Sequence, residues 1–385
     1  MTSSLCAQAV TKAKELVNFV NISPTPFHGG GLWYTWLDRD LTIAGRCVIN
    51  VTNANGTKTL MQKLVNLERP VACVPSLAIH LNREQNKSFS PNLETHLAPI
   101  ICSEINDQLN SKDCSGHAQF KDRHPSALVE SLASKMGCSP EDIVDSELYL
   151  VDTNPAAIGG INNEYIHSPR LDNQFNCYVG TEGFMNALGT LNEDENVRML
   201  CLYDHEEVGS TSCQGANSAF TVNVMRRIHA NLNNVSDFNT FGASMGRSLL
   251  VSADQAHAVH PSHSEKHERN HQPKLHTSGV VIKNNVNQRY SSNSLTTSIL
   301  RKLAEKENVE LVNFVVNQDS ICGSTIGPML SSQLGVAAVD TGSAQLAMHS
   351  IREMCGVASV VPAISLYQSF FSHLSSVMKS IESDM

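Results

Sequence analysis

The sequence predicts an α/β fold with a three-layer α/β/α domain in its C-terminal half. From Ile166 onward, apolar and β-branched segments typical of buried strands alternate with segments of helical periodicity. The chain has 385 residues, enough for about two domains and a large core. Hydrophobic residues make up 41% of it and charged residues 17%, and this composition excludes a disordered protein.

The first 160 residues mix helical and strand-like patterns. Apolar residues at helical spacing predict an amphipathic surface helix at the start: Val10, Ala13, Val17 and Val20. Prolines and glycines between 24 and 31 then break regular structure. Two strand-like pieces follow, AGRCVINVT and ACVPSLAIHL, and a helix is predicted over 127–136.

The second half alternates strands and helices. Four segments are predicted as buried strands: RMLCLYD, SLLVSAD, VELVNFVV and GVAAVD. Helical periodicity predicts helices over 175–188, 218–232 and 344–354. Three strand ends carry acids, namely the run 204–207, Asp254 and Asp319. Functional groups of open α/β sheets gather at the carboxyl ends of strands, so we expect the functional site there.

Net charge narrows the classes of partner. The formal charge is −9, so no basic excess exists to replace the counterions of nucleic acid or of an anionic membrane. No apolar run approaches the roughly 18 residues that a spanning helix needs. We therefore expect neither a nucleic-acid partner nor a membrane partner.

Cysteine usage predicts a cytoplasmic protein. The 11 cysteines are scattered, and no two of them form a C-x-x-C pair. This pattern is typical of reduced, buried thiols in a reducing compartment. The first 20 residues carry interspersed charges and lack the continuous apolar stretch of a signal peptide.

Four segments carry carboxylate or histidine side chains in suggestive places. Taken singly, each has an ordinary explanation: an N-cap, a solvated turn, a strand-end acid or a satisfied core histidine on an apolar helix. The residues are Asp172 in HSPRLDN, Glu206 and Glu207 in DHEEVGS, Asp254 in SADQAHAVHP, and His349 in QLAMHSIRE. Together they form the set of ligands that a hydrolytic dinuclear metal site requires, and this set suits Zn²⁺, with Mn²⁺ and Co²⁺ as alternatives.

The Glu206–Glu207 doublet offers one metal ligand and one general base from a single strand end. Both side chains point inward only if the backbone there is irregular, because successive side chains of a strand face opposite ways.

Six of the 16 histidines lie between His257 and His276, and this stretch has two interpretations. It is either a solvated metal-scavenging loop or a wall of the active site. Lys283 and Tyr290 follow in a strand-like segment. Lys283 is ordinarily a solvated charge, but in a metal pocket its ammonium group would receive an acidic group of the substrate.

Several long segments, in order, resemble the signature sequences of the aspartyl aminopeptidases. They are SPRLDN, DHEEVGS, SADQAHAVHP, EKHERNH, VIKNNVNQRYSSN, CGSTIGPMLSSQLGV and DTGSAQLAMHSIRE. The resemblance implies a cytosolic metallopeptidase with two zinc ions per subunit that releases N-terminal Asp or Glu from peptides. It also implies a large homo-oligomer and the attack of a metal-activated water on the first peptide carbonyl.

The resemblance assigns roles to individual residues. Asp172 becomes the bridging ligand and Glu206 the general base, while Glu207 and His349 complete one zinc site and Asp254 serves the other. The implied substrate contacts are His80, His257, Lys283 and Tyr290. His80 would reach the active site of a neighbouring subunit.

The resemblance also divides the chain into domains. It implies an N-terminal helix and the truncated start of the peptidase domain over 1–29, a dimerisation domain of mixed α/β structure over 30–164, and a metallopeptidase domain over 165–385.

One departure from the family pattern affects the metal site. The family carries an A-H-T-D-S-P motif ahead of the segment GGGLWYTWLDRDLT, whereas this chain runs directly from SPTPFH into that segment and contains no His-x-Asp. We therefore expect the zinc site served by Asp254 to be incomplete, unless His28 substitutes, and the activity to be weakened.

Two alternative functions remain at this stage. One is a catalytically inactive member of the family, a splice variant or truncated form, that acts as an oligomerising subunit or scaffold. The other is a histidine-rich metal buffer.

Overall fold

The chain folds into two compact units, Ser3–Pro155 and Ala156–Met385. The computed structural model describes residues 30–93, 95–103, 119–233, 238–275 and 279–381, together with the backbone of 5–8, 19–21 and 23–25.

The unit Ser3–Pro155 is built on antiparallel strands. Its elements are β1 (Leu5–Gln8), β2 (Phe19–Asn21), β3 (Ser23–Thr25), β4 (Leu41–Thr52), β5 (Lys58–Asn66), β6 (Ile100–Ser103), α1 (Phe120–Arg123), α2 (Ser126–Met136) and β7 (Ile143–Asp152). The larger sheet has the order β3-β1-β7-β4-β5, and β2 pairs with β6. Gly45 in β4 is required there, because a Cβ would lie 2.0 Å from the carbonyl oxygen of Glu147.

Two of the predicted elements of this unit are confirmed and one is wrong. AGRCVINVT lies in β4, and the predicted helix is α2. ACVPSLAIHL makes only single bridges, at Ala72 and Cys73. Pro75 lacks a backbone N–H and so cannot extend a ladder. Most of the predicted first helix, and His28, lie outside the described residues, while Val20 belongs to β2.

The unit Ala156–Met385 contains the remaining elements. They are β8 (Ala157–Gly159), β9 (Tyr165–Ser168), α3 (Leu171–Asn186), α4 (Phe220–Asn233), α5 (Phe238–Gly246), β10 (Leu249–Ala253), β11 (Ala256–His257), β12 (Val280–Asn284), α6 (Ser294–Lys306), β13 (Leu311–Val315), α7 (Ile326–Leu334), β14 (Ala337–Gly342), β15 (Ala344–Leu346), β16 (Glu353–Gly356) and α8 (Val360–Lys379).

A central sheet with helices on both faces organises this unit, so the predicted three-layer fold is confirmed. The sheet has the order β10-β14-β12-β13, in which only the β12–β14 pair is antiparallel. Helices α3, α6 and α8 pack on the face that carries Ile282 and Val339. Helices α4, α5 and α7 pack on the other face, around Leu250. A second sheet, β11-β15-β16-β9-β8, carries the loops that reach the site.

The predicted strand RMLCLYD is wrong. The segment 198–204 is not assigned to a strand, and the backbone groups of 200–203 make no backbone hydrogen bond with any described residue. Its start is fixed by a buried ion pair, 2.9 Å between Arg198 Nε and Asp194 Oδ2, whereas Leu202 is 54% exposed. Apolar composition favours a strand, but a strand forms only where a neighbour supplies the ladder.

The predicted helix over 344–354 is also wrong. The segment forms β15, a tight turn and β16, which pair antiparallel. Ala347 and His349 have positive φ angles of 57° and 64°, which a helix excludes. Gln345 and Glu353 are buried, so the apolar side chains alone do not define the buried face. Within the described parts of the chain, no helix is long and apolar enough to cross a membrane.

The core of the larger unit supplies a stability prediction. Leu300 in α6 is fully buried, and Leu295 in the same helix is 53% exposed. We expect Leu300→Ala to lower the free energy of unfolding by about 2–5 kcal/mol, because it leaves a cavity between α6 and the sheet. Leu295→Ala is the matched control and should change it by less than about 0.5 kcal/mol. Urea unfolding followed by circular dichroism measures both, and equal losses would contradict this packing.

Candidate metal centre

Three of the predicted ligands converge at the end of the central sheet. Asp172, Glu207 and His349 each offer a ligand atom, and these atoms lie within 4.8 Å of one another. His349 Nε2 is 3.2 Å from Glu207 Oε2 and 3.7 Å from Asp172 Oδ2. Among the described residues, no other set of three His, Cys, Asp or Glu side chains meets this criterion.

An irregular helix start places Asp172. Arg170, in the left-handed region at φ 60°, is the N-cap of α3, so Asp172 is not the cap that its position suggested. Asp172 and Asn173 have non-helical backbone angles inside the first turn, and the peptide bond between them is cis. The Asn173 side chain donates a hydrogen bond of 2.6 Å to the carbonyl oxygen of Ala253, which ties the start of α3 to the end of β10.

A tight turn brings both glutamates of the doublet to the site. His205 has a φ angle of 61° and begins a single 3₁₀ turn over Glu206–Val208. Glu207 contacts His349, while Glu206 lies close enough to Asp254 for their charges to interact. The irregular backbone needed for Glu206 and Glu207 to point to the same site is therefore present. The two glutamates are not simply acids of a solvated turn.

Crowded carboxylates shift the acidity of the site. Burial raises the pKa of Asp172 well above its ordinary value, and the charges of Asp254 and Glu207 raise it further. Burial raises the pKa of Glu206 to about 7, and the charges of Asp254 and Glu207 add to this shift, although the charge of Lys283 opposes it. Like charges packed this closely need a cation. Two carboxylates and one imidazole are ligands that suit Zn²⁺, Mn²⁺ or Co²⁺.

A buried lysine partly offsets this negative charge. Lys283, 3% exposed, places Nζ 3.7 Å from Asp254 Oδ2 and 5.4 Å from the centre of the Tyr290 ring. Burial raises the pKa of Tyr290, which keeps its phenol neutral. Lys283 is therefore not a solvated charge, and in this structure its partner is a carboxylate of the protein.

His257 lies beside the same group. Part of the His257 side chain is exposed, but burial of its ring nitrogens, followed by the positive charges of Lys283 and His349, lowers the pKa of His257 to about 4. Its ring is 5.9 Å from that of Phe314 and is neutral at neutral pH. This neutral ring can accept or donate a hydrogen bond without adding charge to the site.

Other predicted residues lie elsewhere. His80 is exposed in a turn of the other unit, and Asp319 is exposed beyond β13. Within the His-rich stretch, the ring centres of His260 and His263 are 4.9 Å apart, and His271 Nδ1 is 2.6 Å from a carboxylate oxygen of Glu268. None of these histidines joins the metal-ligand group.

Sequence reasoning did not find Glu353. This residue is 2% exposed, and its carboxylate accepts hydrogen bonds from the backbone N–H groups of Asp172 and His349. The available signal is its place four residues after His349, with an acidic side chain inside a predicted apolar segment.

The fold and the site together define a metal-dependent hydrolase. Asp172, Glu207 and His349 are side chains that could hold a cation, and the carboxylate of Glu206 lies close to the same group. Sequence comparison is more specific. The chain matches the aminopeptidase I zinc metalloprotease (M18) family over residues 2–371 and belongs to that family.

Individual relatives are consistent with membership of this family. The chain is 43% identical to the aspartyl aminopeptidase of Caenorhabditis elegans, over 92% of this chain and 75% of that protein. It is 40% identical to a probable aspartyl aminopeptidase of Ricinus communis, over 98% of this chain and 79% of that protein.

Solved structures agree on the fold. A chain in the cryo-EM structure of the Ape4 and Nbr1 complex has a TM-score of 0.91 and 38% identity, over 99% of this chain and 72% of that chain. The structure of the S. cerevisiae mApe1 dodecamer has a TM-score of 0.78 and 25% sequence identity, over 98% of this chain and 78% of that chain. The predictions of the family and of a metallo-aminopeptidase are confirmed.

The raised pKa values predict how metal and pH act together on stability. A carboxyl group whose pKa is raised by folding stabilises the metal-free protein below its unfolded pKa and loses that contribution as pH rises through the folded pKa. We expect the melting temperature of the metal-free protein to fall as pH rises from about 5 through about 7, the folded pKa of Glu206. Zinc should restore it, and more strongly at the higher pH, because the metal displaces protons from Asp172.

Thermal unfolding with a chelator, and with zinc added back, measures this effect. Asp172→Asn should abolish the rise in melting temperature that zinc produces, whereas Asp319→Asn, at an exposed site, should leave that rise intact. A zinc effect that survives Asp172→Asn would exclude this group as the metal centre.

Proposed function

We propose that this chain is a zinc-dependent aminopeptidase that releases N-terminal Asp or Glu from peptides. The convergence of Asp172, Glu207 and His349 is the observation that supports the proposal. These three side chains could hold a metal ion, and the carboxylate of Glu206, which is not one of the three, lies beside them. The names of the relatives support the acidic specificity. A buried cation at the same site, Lys283, supports it independently.

Each ligand has a place in this proposal. Asp172, Glu207 and His349 would hold one zinc ion, and Asp172 together with Asp254 would serve a second. Among the described residues that second position lacks a further ligand, so we propose one complete and one incomplete zinc site, with weakened activity. When bound, zinc polarises the scissile carbonyl and acidifies water.

Glu206 is the general base and acid. Its pKa of about 7 allows it to take a proton from the attacking water and to return that proton to the leaving amine near neutral pH. A carboxylate with its ordinary pKa would be a weaker base and would take the proton less readily.

Three basic or aromatic side chains near the metal site bind the substrate in this proposal: Lys283, Tyr290 and His257. Lys283 faces the acidic side chain of the substrate, and Tyr290 and His257 line the path beside it. His80, exposed in a turn, contacts the substrate of a neighbouring subunit. The net charge of −9 repels acidic peptides at long range, so selectivity depends on such local cations.

Assembly and location complete the proposal. The mApe1 relative is a dodecamer, and we propose a homo-oligomer for this chain, with dimer contacts from a domain over 30–164 and catalysis in a domain over 165–385. The nine described cysteines are unpaired, which supports a reducing, cytoplasmic location.

The first test removes the base. Glu206→Gln should lower kcat for an Asp- or Glu-anilide by about 10²- to 10⁴-fold, because the amide cannot accept the proton. Zinc content should stay unchanged, since Glu206 is not a ligand. Glu195→Gln, at an exposed ion pair, is the control and should keep full activity. Wild-type protein that binds zinc yet turns over no faster than Glu206→Gln would instead indicate a non-catalytic oligomerising subunit.

The second test concerns specificity. Lys283→Met keeps the aliphatic stem and removes the charge, so kcat/KM should fall about 10-fold more for Glu-anilide than for Gln-anilide. Loss of the Lys283–Asp254 pair affects both substrates and cancels in this ratio. Lys302→Met, exposed on α6, should leave the ratio unchanged. An unchanged ratio in Lys283→Met would remove Lys283 from substrate selection.

A further inference from the structure

Glu353 joins the two loops that carry metal ligands. Its Oε2 accepts a hydrogen bond of 2.8 Å from the backbone N–H of Asp172, and its Oε1 accepts one of 2.8 Å from the backbone N–H of His349. Asp172 is 181 positions away in the sequence, and His349 is four. One carboxylate therefore bridges two distant segments at the point where each presents a ligand.

This carboxylate is buried, and its partners are backbone groups. Glu353 is 2% exposed, and the described hydrogen bonds of its oxygens come from the backbone N–H groups of Asp172 and His349. A buried carboxylate in this setting is costly unless its lone pairs are bonded. The two N–H groups supply those bonds, while the backbone of Glu353 is held in β16, where it pairs with Ser168 of β9.

Both loops have backbone conformations that need support. His349 has a φ angle of 64°, and Ala347 in the same turn has one of 57°. Non-glycine residues adopt this region only where the surroundings compensate. Asp172 lies in the first turn of α3, where backbone N–H groups have no partner within the helix, so its N–H is available to Glu353. The hydrogen bonds to Glu353 fix both of these backbones.

A glutamine cannot replace this glutamate. Each carboxylate oxygen receives one N–H, and the side chain of Gln has only one acceptor oxygen. Its NH₂ group would face the other backbone N–H, donor against donor. An aspartate keeps both acceptors but is one methylene shorter, and so cannot reach both loops in their present positions.

We propose that Glu353 is a positioning residue that sets the separation of Asp172 and His349, and thereby the metal affinity of the site. The inference rests on the proposed function only in taking these two residues as ligands. Glu353 acts through their backbones and not by contact with the metal or the substrate. Groups that orient metal ligands typically contribute about 10- to 100-fold in affinity.

Zinc affinity of the folded protein is the deciding measurement. Competition with a chromogenic chelator at 25 °C, well below unfolding, should show binding about 10- to 100-fold weaker in Glu353→Gln than in wild type. The zinc affinity of Glu353→Asp should lie between those of wild type and Glu353→Gln. Excess zinc should restore much of kcat in Glu353→Asp while KM stays near the wild-type value.

Asp340→Asn is the matched control. Asp340 is also a fully buried carboxylate of this unit, and it accepts hydrogen bonds from the Ser291 backbone N–H, at 2.5 Å, and from the Thr325 hydroxyl, at 2.6 Å. It supports no ligand loop. Asp340→Asn should therefore lower the melting temperature without changing the zinc affinity.

Three outcomes overturn the proposal. They are a zinc affinity within about twofold of wild type in Glu353→Gln, an equal loss of affinity in Asp340→Asn, and failure of both Glu353 variants to fold, which would make the role purely structural. Wild-type protein that binds zinc through Asp172 without hydrolysing peptides would contradict the proposed function and leave the role of Glu353 intact.

Discussion

Mutual repulsion among buried carboxylates is the constraint on which the site depends. Asp172, Glu206, Glu207 and Asp254 approach one another at the end of a sheet, where water is too scarce to screen them. Lys283 and His349 offset part of this charge, and protons occupy part of the rest. Such an arrangement is costly unless protons or a cation relieve it, and a cation bound at the proposed site would gain affinity from relief of this repulsion.

Such crowding demands backbone that departs from regular structure. Arg170, His205 and His349 all adopt left-handed φ angles, and each lies at or within two residues of a ligand. Strained residues of this kind persist where surrounding structure determines them, and here the core sheet with its two helical layers does so. The regular part of the fold therefore holds the irregular part in place.

The sequence predicted chemistry better than local conformation. The structure brings the predicted ligands Asp172, Glu207 and His349 together, although the segment before Glu207 is not a strand. The helix predicted around His349 is wrong, since apolar spacing over so short a segment does not separate a helix from a strand pair. The role of Glu353 could not be predicted from its acidic side chain in an apolar segment, because its partners are backbone groups brought together only by the fold.

The segment 198–204 has a consequence for the protein at high concentration. The backbone groups of 200–203 make no backbone hydrogen bond with any described residue, and Leu202 is 54% exposed beside Val197, which is 60% exposed. A charged residue in place of Leu202 would reduce the apolar surface that two molecules could share, as charges on edge strands do in natural sheets.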